Sequence, residues 1–364
     1  MNKIKNITLI ALTSLVILLG SAFLFFGKSS DYSLSERRKL AEMPKFDTED
    51  VLSGKFMTDF ESFTLDRFPL RDSFRRLKTV SSLYAFGQKA NHGLYKQGEY
   101  LSKLEYPENI EKIDASESKL KAVYDNYIAG ADCKVYLSVI PDKNYFLAPL
   151  GGYPVMDYDR VLEKVKGDFS FADYIDIFPC LELSDYYFTD QHWRQEKVID
   201  VAQTLAEGMG SEISTDFKEN RSDITLYGAY VGQLSLKSDG DELIYLTSDI
   251  LDSCKVTSYA TGSAKESVIY NFRKAADKDA YELFLSGSEP FLTIENPKAE
   301  NDKELVIFRD SFTSSLAPLL VSGYSKITLI DLRYVNSSML GSLITFDKQD
   351  VLFLYSTLVL NSGL

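Results

Sequence analysis

Of the 364 residues only two are histidine, and one of them, His192, lies in Asp190-Gln191-His192-Trp193 beside the only tryptophan. Imidazole is the side chain whose ordinary pKa lies nearest neutrality, so it is the default general base of hydrolytic and acyl-transfer sites. A carboxylate two residues before it is close enough to orient the ring through Nδ1. Asp190 and His192 therefore form two thirds of a nucleophile–base–orienter set. The missing third is a serine or cysteine from elsewhere in the chain.

Arg-Asp-Ser-Phe occurs twice, at 71–74 and at 309–312. A nucleophilic serine needs a sharp turn from a strand into a helix, which exposes Oγ and offers helix N–H groups to an oxyanion. Ser311 has that setting, with an apolar run before it and a helical pattern after it. Ser73 lies between Pro69 and a basic helical run, and reads as a solvated helix-start serine. The bland reading of Ser311 is an N-cap without chemistry, and that of His192 a satisfied structural histidine. Trp193 reads as packing support rather than a sugar platform. His92, in Asn91-His92-Gly93, reads as a turn residue. The two histidines are far apart and there is no CxxC, so neither a zinc site of the usual kind nor a cofactor is expected. Cys133, Cys180 and Cys254 are three, so an exported chain leaves at least one unpaired.

The elements that would position these residues are legible in the apolar pattern. Lys134–Ile140 is a buried strand ending at Pro141, and 174–177 suggests another. Residues 113–128 and 198–206 have helical spacing. In the last third, strands at 305–308, 327–332 and 351–355 alternate with helices at 312–321 and about 338–344. That order predicts an α/β fold, a doubly wound and largely parallel sheet. Residues 222–294 read as a β-rich insertion or sheet extension with strands at 243–246, 256–259 and 268–272. Helices are expected at 56–63 and 72–84, within an N-terminal segment 27–90 that precedes a catalytic domain 91–364.

The chain opens with Ile7–Phe26, twenty residues without a charge. At about 1.5 Å per residue this run crosses a hydrocarbon core of about 30 Å. Lys3 and Lys5 precede it, which predicts a short cytoplasmic stub 1–6, a transmembrane helix and an extracytoplasmic remainder at the cell membrane. A cleaved signal peptide is the competing reading, disfavoured because Phe23 to Phe26 continues the apolar run past the small residues. The net charge of −13 argues against a nucleic-acid partner.

The Asp-x-His-Trp motif, the later Asp-Ser-Phe motif and the N-terminal anchor together resemble the DHHW family of exported bacterial proteins. That family is related to the SGNH-like alginate O-acetyltransferases. "ERRKLAEMPKF", "DRFPLRDSF", "VIPDKNYF", "YYFTDQHW" and "LVIFRDSFTSSLAPLL" stand in the family's order and cover most of 35–360. Gln191 departs from the family pattern, where histidine is common. The resemblance implies an SGNH-hydrolase-like fold and a triad of Ser311, His192 and Asp190. It further implies acetyl transfer to an extracytoplasmic polysaccharide, with the acetyl donor supplied through a membrane-bound O-acyltransferase. Asn144 and Arg309 are the weak candidates for oxyanion or substrate binding. An acetylesterase with the same triad, or a polysaccharide-binding scaffold in which Ser311 and His192 never meet, are the alternatives.

Overall fold

The computed structural model describes residues 2–26 and 31–364, with backbone alone at 2–4, 16, 17, 19 and 21–26. The chain forms two compact units, Met1–His92 with Val231–Lys237, and Gly93–Tyr230 with Ser238–Leu364.

The larger unit is built on an eight-stranded sheet. Its strands are β1 (Lys134–Ile140), β2 (Asp173–Tyr174), β3 (Lys255–Ser258), β4 (Lys265–Ser267), β5 (Phe291–Glu295), β6 (Glu304–Arg309), β7 (Lys326–Ile330) and β8 (Asp350–Ser356). Their spatial order is β4-β3-β5-β7-β6-β8-β1-β2. Strands β7, β6, β8, β1 and β2 are mutually parallel. Strands β5, β3 and β4 extend the sheet antiparallel. The β-rich stretch thus divides. Part of it extends the sheet, and Lys218–Leu226 pairs separately with Asp241–Thr247.

Side chains alternate across a strand, so a sheet covered on both faces needs apolar residues at consecutive positions. Strand β6 shows this. Leu305 and Ile307 enter one core with α4 (Ile199–Gly208) and α5 (Thr313–Leu320). Val306 and Phe308 enter the other with α1 (Ile110–Val123) and α3 (Tyr158–Asp168). A further helix, α2 (Lys143–Gly151), follows β1. The result is a three-layer α/β unit in which the C-terminal ends of β6, β8 and β1 share one edge.

The strand expected at 268–272 is not formed. Tyr270 makes only an isolated bridge to Phe284, and Phe272–Ala275 is a short helix. Asn271 caps that helix by accepting from the Lys274 N–H at 3.1 Å, which ends extended structure there. The expected strand at 174–177 shrinks to Asp173–Tyr174.

The smaller unit carries helices Lys55–Asp66 and Arg71–Val80, the latter continuing through Ser81–Ala85. Asp66 receives both guanidinium nitrogens of Arg38, at 2.8 and 2.5 Å, and the Ala41 N–H at 2.8 Å. The apolar run lies on helix Asn2–Phe26. Among the described residues no helix is long and apolar enough to cross a membrane. Part of the run, residues 21–26 included, lies outside the described side chains.

Candidate active site

Ser311 stands where β6 gives way to α5. Asp310 shapes the turn. Its buried carboxylate accepts from the Phe312 N–H at 3.0 Å and from the Ser356 N–H, at the end of neighbouring β8, at 2.7 Å. The turn is therefore fixed both to the helix start and to the next strand. The serine side chain is left half-buried at the sheet edge.

Asp190 and His192 arrive on an irregular hairpin. Tyr186 bridges Trp193, the Tyr187 N–H donates to the His192 carbonyl at 3.1 Å, and the Arg194 N–H to the Asp185 carbonyl at 2.7 Å. The structure brings the three predicted residues together. His192 Nε2 is 2.7 Å from Ser311 Oγ, and Nδ1 is 2.5 Å from Asp190 Oδ1. Asp190 can only accept when ionised, so Nδ1 carries the proton and Nε2 is left to accept from the serine hydroxyl. Asp190 Oδ1 also takes the His192 N–H at 3.1 Å, and Oδ2 takes the Ala229 N–H at 3.1 Å. Gln191 places its amide nitrogen 3.4 Å from Nε2.

The imidazole is held on its face as well as its edge. Tyr281 stacks on it with centroids 3.8 Å apart and planes 5° from parallel. The Tyr281 hydroxyl lies 2.8 Å from Ser315 Oγ, on the helix that follows Ser311. Burial pushes the Tyr281 phenol well above its ordinary pKa, so it stays neutral. Trp193 Nε1 donates to the Phe312 carbonyl and to Ser315 Oγ, both at 3.0 Å. Trp193 thus ties the histidine hairpin to the serine helix and is itself fully buried.

Two buried charges hold the hairpin tip. Lys143 Nζ donates to the carbonyls of Asp190 at 2.6 Å, Tyr187 at 2.7 Å and Phe188 at 3.3 Å. Asp241 accepts from the N–H groups of Phe188 at 2.6 Å and Thr189 at 2.9 Å. A cation on the carbonyls and an anion on the amides together satisfy the turn's backbone. Burial pushes the Lys143 ammonium down to about 7, opposed by Asp190 and Asp241. The tip also packs against Gly228, where a Cβ would fall 2.1 Å from the Thr189 carbonyl group.

The weaker predicted residues are placed differently. Arg309 is fully buried and donates to the carbonyls of Gly287 at 3.2 Å and Glu289 at 3.0 Å, and to Ser314 Oγ at 2.8 Å. It braces the sheet end. Asn144 starts α2 after β1, two strands from β6, or about 10 Å across the sheet. Its Oδ1 accepts from the Tyr95 hydroxyl at 2.9 Å, and its buried Nδ2 has no hydrogen-bond partner among the described residues. Ser73 is exposed on helix Arg71–Val80, and His92 sits at a turn with φ 52°, both in the smaller unit. Among the described residues no group of His, Cys, Asp and Glu could hold a metal, and the three cysteines are free. Sequence reading missed Tyr281, Lys143, Asp241 and Asp310 as site residues. Only Asp310, adjacent to Ser311, left a local signal.

No family model matches the sequence, and no curated protein matches it. Solved structures do match. A DHHW family protein from Eubacterium siraeum superposes with TM-score 0.60 at 19% identity, over 74% of this chain and 93% of that one. The two share a fold. Bacillus cereus PatB1, solved with a sulfonyl adduct, gives TM-score 0.56 at 20% identity, over 73% of this chain and 95% of that one. The relation read from the motifs and the relation read from the fold therefore agree.

Proposed function

We propose that this protein is an extracytoplasmic O-acetyltransferase that acts on a polysaccharide through an acetyl-serine intermediate. The observation that carries the reading is the chain Ser311 Oγ–His192 Nε2, 2.7 Å, and His192 Nδ1–Asp190 Oδ1, 2.5 Å. Ser311 Oγ attacks the acetyl carbonyl as Nε2 takes its proton. Asp190 holds the Nδ1–H and offsets the charge on the ring. The Phe312 N–H is committed to Asp310, so the Ser311 N–H is the first donor to the oxyanion. Collapse of the tetrahedral species returns the proton to the leaving group and leaves acetyl-Ser311. An acceptor hydroxyl then gives its proton to Nε2, attacks the ester and restores the serine.

The substrate class comes from the motif resemblance, which supports a polysaccharide acceptor and an acetyl donor delivered by a membrane-bound O-acyltransferase. PatB1, which shares this fold, is solved with a sulfonyl adduct; sulfonyl electrophiles are captured by activated nucleophiles, which supports nucleophilic chemistry on this fold. The Ile7–Phe26 run supports a single-pass anchor with the N-terminus inside. Acetylesterase activity is the second reading. Ser311 is half-buried rather than sealed, so water can compete with a sugar hydroxyl. The scaffold reading needed Ser311 and His192 apart, and they lie within hydrogen-bond distance.

Exposure of the protein to an activated acetyl ester, followed by intact mass, tests the nucleophile. Wild type and Ser73→Ala are expected to acquire one acetyl group at equal rates, and Ser311→Ala none. Acetylation that survives Ser311→Ala sinks the proposal. Adding oligosaccharides then separates the two activities: transfer yields acetylated sugar, whereas an esterase releases acetate at a rate indifferent to acceptor.

A further inference from the structure

The smaller unit contains a feature the acyl-transfer site does not use. Residues 67–92 hold six arginines and lysines against a single acid, Asp72, in a chain whose net charge is −13. Helix Arg71–Val80 and its continuation Ser81–Ala85 carry an apolar stripe that, among the described residues, stays exposed. Leu70 is 73% exposed, Phe74 53%, Leu77 60% and Tyr84 66%. Steps of four, three and seven residues put them on one helical face. Beside the stripe lies a cleft of about 550 Å³, walled by Leu65, Phe68 and Phe74 and flanked by Arg71, Arg75 and Lys78. Glu36 enters the same cleft, 2.6 Å from Arg71 and 3.4 Å from Arg75, and offsets part of their charge. The Lys78 ammonium meets His92 Nε2 at 3.1 Å and, among the described residues, no carboxylate.

We propose that this cleft and stripe bind an anionic phospholipid at the bilayer surface, the headgroup phosphate at Lys78 and Arg75 and the acyl chains along Phe74 and Leu77. Arg71 also meets Asp66 at 3.3 Å and Arg75 meets Asp72 at 3.0 Å, so the cation left to a negative headgroup is chiefly Lys78, with Arg75 beside it. A basic helix with an apolar face is the usual form of a segment lying in the membrane interface. An acidic saccharide would use the same cations, but the exposed stripe from Leu70 to Tyr84 runs on past the cleft, which suits acyl chains. The location fits as well. Asp31 follows the apolar run by five residues, at most about 17 Å of chain. This last point rests on the anchored reading of Ile7–Phe26; the cleft chemistry does not.

The test uses full-length protein in lipid nanodiscs with brominated acyl chains. Trp193 is fully buried in the larger unit, so wild-type emission serves as the unquenched reference. Phe74→Trp and, as an independent probe of the same stripe, Leu77→Trp are expected to be quenched in discs containing phosphatidylglycerol and much less in phosphatidylcholine alone. Adding Lys78→Gln should raise the phosphatidylglycerol fraction needed for half-maximal quenching about fivefold. Equal quenching in both lipids, or none in phosphatidylglycerol with either probe, overturns the proposal. Relief of quenching by polygalacturonate, at an ionic strength where inorganic phosphate has no effect, overturns the lipid in favour of an acidic saccharide. Alkaline carbonate extraction reads the anchor separately. Extraction with selective quenching intact removes the anchor and leaves the cleft.

Discussion

The three side chains of the proposed triad are few enough to be tested one atom at a time. Asp190 Oδ1 holds Nδ1, and replacing that oxygen with an amide presents a donor where an acceptor is needed. Asp190→Asn is expected to lower the rate of Ser311 acetylation by about 10³–10⁴-fold while the protein stays folded. A loss below tenfold in single-turnover acylation would remove Asp190 from the mechanism. Tyr281 acts through His192 rather than on substrate, so its test must separate stacking from bulk. Tyr281→Phe keeps the ring on the imidazole and loses only the hydroxyl's contacts with Ser315 Oγ and the Phe312 carbonyl. Its acylation rate should stay within a few-fold of wild type, because one neutral hydrogen bond contributes about 1 kcal/mol. Tyr281→Leu removes the ring and should cost about tenfold or more, since small misplacements of a catalytic group are expensive. With only two histidines, the imidazole signals of labelled protein report the stack directly: Leu should shift the His192 ring protons and leave those of His92 unmoved. Phe as damaging as Leu would show that the hydroxyl, not the stacking, matters. The acid–base pair could be read from sequence because its members are two residues apart. Tyr281 could not be, because its contact with His192 joins positions 89 apart in a chain with 23 tyrosines.

At the scale of elements, the hairpin that carries Asp190 depends on groups from two other segments. Lys143, just after β1, satisfies three of its carbonyls, and Asp241 two of its amides. Lys143→Met leaves those carbonyls buried without donors and is expected to cost about 2–4 kcal/mol in urea unfolding. Titration provides a second signature. An unfolded lysine keeps its proton up to about pH 10.4, whereas burial lowers the native Lys143 to about 7. Between those values the unfolded chain binds more protons, so this group makes stability rise with pH and lowers it as pH falls toward 7. Wild type measured at pH 7 and pH 9 should show that upward slope, and Lys143→Met should lack it. Identical slopes would mean the lysine is not buried as described. Gly228→Ala probes the same hairpin from the other side. A methyl group 2.1 Å from the Thr189 carbonyl group cannot be accommodated without moving the segment that supplies the Ala229 N–H to Asp190. Acylation should fall more than tenfold in this variant. None of these supports was visible in the sequence. A buried lysine reads as a surface lysine until the carbonyls around it are known. The strand–serine–helix context of Ser311 was visible, because β6, the turn and α5 are contiguous.

Across the whole molecule, legibility followed how local each pattern was. The runs at 305–308, 327–332 and 351–355 are apolar at consecutive positions because both faces of the sheet are covered, and they appear as β6, β7 and β8. The stretch 268–272 is equally apolar, yet Tyr270 is drawn to the Leu246 carbonyl and Gln195 and Asn271 caps a helix. Those tertiary contacts override strand propensity. The largest open consequence is where this unit works. On the proposed anchored reading, Lys3 and Lys5 flank the apolar run on its short side and the positive-inside preference would keep that end in the cytoplasm. Leu364 should then lie outside. Alkaline phosphatase fused after Leu364 should be active in intact cells and a fluorescent protein fused there dark, because the first matures only outside and the second only inside. The opposite pair of results sinks the exported reading and with it the need for a membrane-bound acetyl donor, since cytoplasmic acetyl-CoA would then reach Ser311 directly. Lys3→Glu with Lys5→Glu sharpens the test. If those charges set the orientation, removing them should raise the fluorescent fraction and lower the phosphatase signal; an unchanged ratio would mean that they do not.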